Sequence, residues 1–254
     1  MLSAQRRSHL LDLLDRDGRI VAKDAAAALG LSEDSIRRDL RELADAGLCV
    51  RVYGGALPVA AADRPFRDRL SLGTESKERV ARIAAERIRP GSTIIIDAGT
   101  TALALARLLP DDPSLTVITP SPAVALAVAE HSPARVIMIG GELGRHSMVA
   151  GGALAAEAIR HLSADACFLG VTGFHPEHGL TTGDLDDAAT KRALAERSTD
   201  VYVLASEEKV GAVSRYPVLD VGEVTEVIVD PQSDGPDPST RAGGSDARDR
   251  QDRG

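Results

Sequence analysis

The chain has no tryptophan and only three tyrosines and three phenylalanines among 254 residues, so its core must be built from Ala, Val, Leu and Ile. No apolar run approaches the roughly 18–20 residues that span a bilayer. The first turn of sequence, where Arg6, Arg7, His9, Asp12 and Asp15 interrupt the leucines, lacks the apolar block of a secretory signal. Only two cysteines are present, Cys49 and Cys167, far apart and in apolar surroundings. A disulfide is not expected from them, and two thiols without neighbouring ligands do not make a zinc site. These absences predict a cytoplasmic protein with no membrane partner. What is present, 43% hydrophobic and 27% charged residues, is the profile of a soluble globular chain.

An excess of positive charge is also missing. The net charge is −8, yet residues 1–60 hold nine Lys/Arg and nine Asp/Glu, which leaves 21 basic and 29 acidic side chains for the rest. The acidity belongs to the larger part alone. Any nucleic-acid affinity of the first segment must come from placing its cations on one face.

Periodicity divides the chain. Leu10, Leu11, Leu13 and Leu14 form an apolar stripe at helical spacing, stopped by Asp17-Gly18. An Ala-rich segment, Ala22 to Leu29, closes at Gly30, and Ser32 is placed to cap a third helix with Glu33 and Asp34 in its first turn. Ile36, Leu40 and Leu43 give that helix one buried face, and Gly47 ends it. The run Leu48 to Val52, the turn Tyr53-Gly54-Gly55 and Ala56 to Val59 read as a hairpin. Residues 59–74 read as a linker that is partly tied down. Beyond it, apolar β-rich runs at Thr93–Ile96, Thr116–Thr119, Arg135–Ile139, Ala166–Val171, Asp200–Ala205 and Val224–Asp230 alternate with helical patterns. That alternation predicts a mainly parallel sheet covered on both faces over residues 75–230. From Pro231 to Gly254 no apolar periodicity remains, and a disordered tail is expected.

A short helix, a tight Leu29-Gly30-Leu31-Ser32 connection and a second helix form a helix-turn-helix pattern, in which the second helix enters the DNA major groove. With Ile36, Leu40 and Leu43 buried, Ser32, Glu33, Ser35, Arg37, Arg38 and Arg41 remain for base edges and phosphates, and the hairpin would act as a wing that brings Arg51 and Tyr53 within reach of the DNA backbone. Asp39 reads as an intramolecular partner for an arginine, and Tyr53 either contacts DNA or packs under the wing. The stretch Leu31-Ser32-Glu33-Asp34-Ser35-Ile36-Arg37-Arg38-Asp39-Leu40, with Leu43, Gly47, Leu48, Arg51 and Gly54-Gly55-Ala56, resembles the signature of the DeoR family of transcriptional regulators. The resemblance covers nearly all of residues 1–58 and implies a winged helix-turn-helix that binds double-stranded operator DNA.

In open α/β sheets ligands sit beyond the carboxyl ends of the strands. Here those ends carry Asp97-Ala98-Gly99-Thr100-Thr101, Pro120-Ser121, Gly140-Gly141 with Arg145, Thr172-Gly173 with Thr181-Thr182, and Ser206-Glu207-Glu208-Lys209. Gly99, Thr100 and Thr101 would open a helix whose free amides and hydroxyls suit an oxyanion. Lys191, near a helix start, and Lys209 and Arg145, in loops, would add positive charge, and Asp97 would accept a sugar hydroxyl or hold its own loop. Phe66 with Arg69, Lys77, Asp97 to Thr101, Gly140-Gly141 with Arg145, Gly179-Leu180-Thr181, Lys191 and Lys209 resemble the DeoR C-terminal domain in order and spacing. Through the Gly-Thr-Thr turn the segment is also similar to ribose-5-phosphate isomerase.

The resemblance implies a homo-oligomeric repressor of carbohydrate genes, relieved by a phosphorylated sugar, with no cofactor and no catalytic residues. Two departures bear on the effector: Pro120 stands where the family has Asn, and Ser206 where it has Asp. An isomerase would need a carboxylate base beside the sugar. Asp184, Asp186 and Asp187 are candidates by type, but they read as the solvated start of a helix. His175 and His178, three residues apart in a Pro-Gly loop without further ligands, do not predict a metal.

Overall fold

The computed structural model describes residues 3–58, 60 and 62–233; from residue 234 onward the expected tail lies outside them. The N-terminal head comprises α1 (Ser3–Asp17), β1 (Ile20–Val21), α2 (Ala22–Leu29), α3 (Glu33–Asp45), β2 (Val50–Val52) and β3 (Gly55–Leu57). Leu10 and Leu14 of α1 meet Ala22, Ala25 and Ala26 of α2 and Ile36, Leu40 and Leu43 of α3 in a core of their own, which Ile20, Cys49 and Ala56 complete. Gly30 ends α2 in the left-handed conformation, φ 64°. Ser32 starts α3 by accepting the Ser35 amide on Oγ at 3.3 Å. Asp39, on the buried face of α3, is gripped by the Arg6 guanidinium, Nη2 lying 2.9 Å from Oδ1.

The head holds one strand that sequence reasoning passed over. β1 has only two residues, yet it pairs with β3 and turns the hairpin into a three-stranded wing of order β1-β3-β2. The pairing requires glycine at position 55, where a Cβ would lie 1.7 Å from the Ile20 carbonyl oxygen.

The larger unit runs α4 (Phe66–Arg69), α5 (Thr74–Ala85), β4 (Thr93–Ile96), α6 (Thr100–Ala106), β5 (Thr116–Thr119), α7 (Pro122–His131) and β6 (Arg135–Met138). It continues through β7 (Glu142–Gly144), β8 (Val149–Gly151), α8 (Gly152–Arg160), β9 (Ala164–Gly170), β10 (Gly173–His175), β11 (Gly179–Thr182), α9 (Leu185–Glu196), β12 (Ser198–Ala205), β13 (Tyr216–Leu219) and β14 (Glu226–Val229). All six expected strands form, and they pair in parallel in the order β14-β12-β9-β4-β5-β6. The runs of the central strands β4, β5, β9 and β12 are largely buried on both faces, whereas the edge strand β6 is partly exposed. Ile94, Ile96, Val117 and Phe168 face a core with α5, α6 and α7, while Ile95, Ile118, Cys167 and Leu169 face α8 and α9. Both cysteines are buried free thiols. No helix among the described residues is long and apolar enough to cross a membrane.

Two small antiparallel assemblies were not expected. β7 pairs with β8, and β10, β11 and β13 form a three-stranded sheet beside the main one. The interval read as a linker contains α4 and opens onto α5; Phe66 is buried in the larger unit's core, and its amide donates to the His146 carbonyl at 2.8 Å.

Candidate functional site

The chain leaves β4 in one direction to make β5 and β6, then returns to the other side of β4 for β9, β12 and β14. The loops after β4 and β9 therefore diverge and leave a crevice at the carboxyl ends, the position at which doubly wound sheets take ligands. A solvent-connected recess of about 480 Å³ occupies it, lined by Gly99, Thr101, Arg69, Asp63, Thr172 and Lys209 among others.

Under this recess lies a buried ionic network. Asp97, fully buried at the end of β4, takes a hydrogen bond on Oδ2 from the Gly170 amide at 3.0 Å and another from Lys191 Nζ at 2.6 Å. Lys191 Nζ also reaches Asp187 Oδ1 at 3.0 Å, and Thr182 Oγ1 donates to Asp187 Oδ2 at 2.6 Å. Burial works against the Lys191 charge, but Asp187 and Asp97 outweigh it and hold the ammonium protonated, above the ordinary lysine range. Burial, opposed by Lys191, raises the Asp97 carboxyl.

A second group of cations is less well neutralised. Lys209 is buried and donates to Thr101 Oγ1 at 2.9 Å and to the Leu204 carbonyl at 3.1 Å, with no carboxylate in ion-pair contact among the described residues. Burial pushes its pKa down to about 7, with Glu208 opposing and Arg69, Lys77 and Lys191 reinforcing the fall. Lys77 Nζ donates to the Arg69 and Leu72 carbonyls and lies 3.6 Å from Glu208 Oε1. Arg69 is buried with Nε unpartnered, and it too makes no ion pair among the described residues. Burial is the main cause lowering its pKa, while Asp187, Asp63 and Glu208 oppose from a distance.

Of the residues singled out for the effector, Gly99, Thr101, Lys191 and Lys209 line the recess and Asp97 lies directly behind it. Thr100 faces a separate groove with Leu103, Lys77 and Arg82. Ser121 is buried as the cap of α7, accepting the Val124 amide, and Gly140, Gly141 and Arg145 are exposed; none of these four lines the recess. Arg145 is displaced because the β7–β8 hairpin carries it outward, whereas the next two residues, His146 and Ser147, face in. Lys191 is not near a helix start but in the middle of α9, and its charge is committed to two carboxylates. Asp187, read as solvated, is buried by the same pairing. The two departures also find their places. Ser206 Oγ donates to Glu208 Oε1 at 2.9 Å and lies 3.3 Å from Thr101 Oγ1, and the Pro120 carbonyl accepts the Ala150 amide of β8 at 2.8 Å.

In the head, Glu33 is bound to Arg37 at 2.6 Å, so this arginine is partly spent within its own helix. Ser32 caps α3 by accepting the Ser35 amide, and the two hydroxyls touch, Oγ to Oγ 2.9 Å. Arg38, Arg41 and Arg51 are exposed and make no ion pair among the described residues. Tyr53 is fully exposed at the tip of the wing and does not pack beneath it.

Residues 73–231 match the family described as the DeoR C terminal sensor domain. The chain belongs to the DeoR family. Residues 6–60 match its DeoR-like helix-turn-helix domain, which makes this DeoR-family chain a DNA-binding transcriptional regulator. It is 32% identical over 232 residues to the HTH-type transcriptional regulator GolR of Listeria innocua, with 91% of each chain covered. Against the glycerol-3-phosphate regulon repressor of Escherichia coli K12 the identity is 33% over 228 residues, covering 89% of each. Ribose 5-phosphate isomerase A of Methanocaldococcus jannaschii overlaps 54% of each chain at a TM-score of 0.40 and 15% identity, a likeness too weak to argue from. In this DeoR-type sensor, sequence reasoning did not assign Asp63 or Arg69 to the pocket. Both lie in the interval read as a linker, and only the tertiary fold brings them to β4.

Proposed function

We propose that the protein is a repressor of carbohydrate-metabolism genes that releases its operator when a phosphorylated sugar fills the recess between β4 and β9. The observation that carries this reading is Arg69, a buried guanidinium without a carboxylate partner, beside Gly99, Thr101 and Lys209. An unpaired buried cation is costly, and an anion bonded to it removes that cost. The α6 amides and the Thr101 hydroxyl add donors for a phosphate, while Asp63, Thr172 and Thr182 supply acceptors and donors for hydroxyls. A relative named the glycerol-3-phosphate regulon repressor points the same way.

The domain division, a head over 1–58 joined through 59–74 to a sensor over 75–230, belongs to this proposal. So do a homo-oligomeric state and residence in the cytoplasm. Turnover is not part of it. The carboxylates beside the recess are each engaged: Asp63 with Ser214, Asp97 with Lys191, Asp184 with the Asp187 amide, and Asp187 with Thr182.

Thermal unfolding in the presence of a panel of phosphorylated sugars and their unphosphorylated counterparts tests the proposal. One phosphorylated sugar at about 100 times its dissociation constant should add about 2.7 kcal/mol of stability, and its free sugar should add nothing. The reading fails if no phosphorylated sugar shifts the transition, or if free sugars shift it equally.

The Lys209 ammonium gives binding a pH signature. With a pKa of about 7 it is largely neutral at pH 8 in the free pocket, facing Arg69, Lys77, Lys191 and Glu208. A phosphate dianion favours the charged form and raises that pKa, so binding at pH 8 should take up close to one proton, and affinity should fall as pH rises above 7. Calorimetry in buffers of different ionisation heat reads the proton directly. Binding heats independent of buffer at pH 8 would remove Lys209 from the phosphate contact.

A further inference from the structure

The turn joining β10 to β11 brings together three side chains that the effector pocket does not use. His175, Glu177 and His178 each present a ligand atom, and these atoms all lie within 4.8 Å of one another. The two imidazoles are 4.7 Å apart, centroid to centroid, and tilted by 38°. The spacing is imposed by the backbone: the His178 amide donates to the His175 carbonyl at 3.2 Å, which folds the turn back on itself. The Glu177 amide donates to His175 Nδ1 at 3.1 Å, so that nitrogen carries a lone pair and no proton. None of the three side chains is in an ion pair with a described residue. Two imidazoles in contact, with a carboxylate beside them, are a donor set suited to a cation.

We propose that this turn binds a late first-row divalent metal ion of the Zn²⁺ class. Two imidazoles and one carboxylate suit Zn²⁺, Ni²⁺ or Cu²⁺, whereas Mg²⁺ and Ca²⁺ call for sets made of oxygen. Bonds of about 2.0–2.2 Å around a tetrahedral ion place its ligands roughly 3.3–3.6 Å apart. Side-chain rotation within a single turn closes the remaining gap, at the cost of the Glu177 amide bond where Nδ1 is the ligand. Metal binding requires neutral imidazole, so zinc affinity should fall as the pH is lowered. Three protein ligands leave a fourth position to water. The ion would brace the tip of a hairpin whose base carries Thr182 to the recess.

The test is titration of tag-free, full-length protein with ZnCl₂ at pH 7.5, followed by calorimetry or equilibrium dialysis, with MgCl₂ as the contrast. One equivalent of zinc should bind and magnesium should not. His175→Ala and His178→Ala should each weaken zinc binding by at least about tenfold, since even the loss of an outer partner of a ligand costs 10–100-fold. Their zinc-free melting temperatures should equal that of the parent, because the turn is at the surface; His178→Gln serves if the alanine variant melts early. Absence of stoichiometric zinc binding in the parent overturns the proposal, and so does undiminished binding in the folded double variant, which would place the ion on other histidines.

Discussion

Arg38→Ala should abolish operator binding at physiological salt while leaving the sensor's response to its sugar phosphate intact. Arg38 stands on the exposed face of α3, opposite the buried Ile36, Leu40 and Leu43, and its guanidinium has no ion-pair partner among the described residues. A bidentate arginine–guanine contact contributes about 1–3 kcal/mol of discrimination. In the proposed homo-oligomer, two heads on two half-sites would therefore lose about 2–6 kcal/mol, a weakening of some 30-fold at the least. Arg37→Ala should cost less, because Arg37 is already held by Glu33 and must give up that pair to reach DNA. Fluorescence anisotropy on labelled operator at fixed salt measures both variants, and an unchanged melting temperature shows the head still folds. An Arg38→Ala protein that holds operator as tightly as the parent would remove α3 from the major groove.

Lys191→Met should be the most damaging single change to stability in the sensor. It strands two buried carboxylates, Asp97 and Asp187, which share this one ammonium. Breaking a buried pair by removing one partner typically costs 3–5 kcal/mol. In a chain of this size that lowers the melting temperature by roughly 6–20 °C. The sign of the pH dependence is fixed as well. Stranded carboxylates have raised pKa values in the fold, so the variant recovers part of its loss as pH falls and they become protonated. Adding Asp97→Asn should restore part of the loss at neutral pH, since Asp187 keeps its bond from Thr182. Denaturant titration of the parent, the single and the double variant decides it. A Lys191→Met protein as stable as the parent would mean that the network does not anchor the β4 and β9 loops.

The six-stranded sheet was legible because its strands are short apolar runs rich in β-branched residues, such as Thr93–Ile96, which need no partner to be recognised. The helix-turn-helix was legible because its stops are local: Gly30, Ser32 and Gly47 act on their own neighbours. The hairpin β7–β8 and the sheet of β10, β11 and β13 were not. Their strands are only three or four residues long, and Thr181–Thr182 finds its partner at Tyr216–Pro217 only after a helix and a long strand intervene. The same holds within the pocket. Gly99 and Thr101 announce themselves by motif, but Arg69 reaches them from a segment that reads as a connector. Asp187 looks solvated until Lys191, one turn along α9, turns it inward. Polar residues carry no periodicity that tells a buried network from a wet surface, so the network becomes visible only where distant loops meet.

The connection between head and sensor is shorter than the 16 residues of its sequence interval. Leu57 belongs to the wing, while Ala62 is already buried and Asp63 takes the Ser214 hydroxyl at 3.2 Å. Ala60 is buried as well, and its carbonyl takes the Asp63 amide at 2.8 Å, so at most about 10 Å of extended chain separates Leu57 from a residue already tied down. Each head is thus confined to a small sphere around its own sensor. In the homo-oligomer proposed above, the distance between operator half-sites would then be dictated by how the sensors assemble and not by any freedom of the heads. An operator whose half-sites are moved apart cannot be followed by paying out chain.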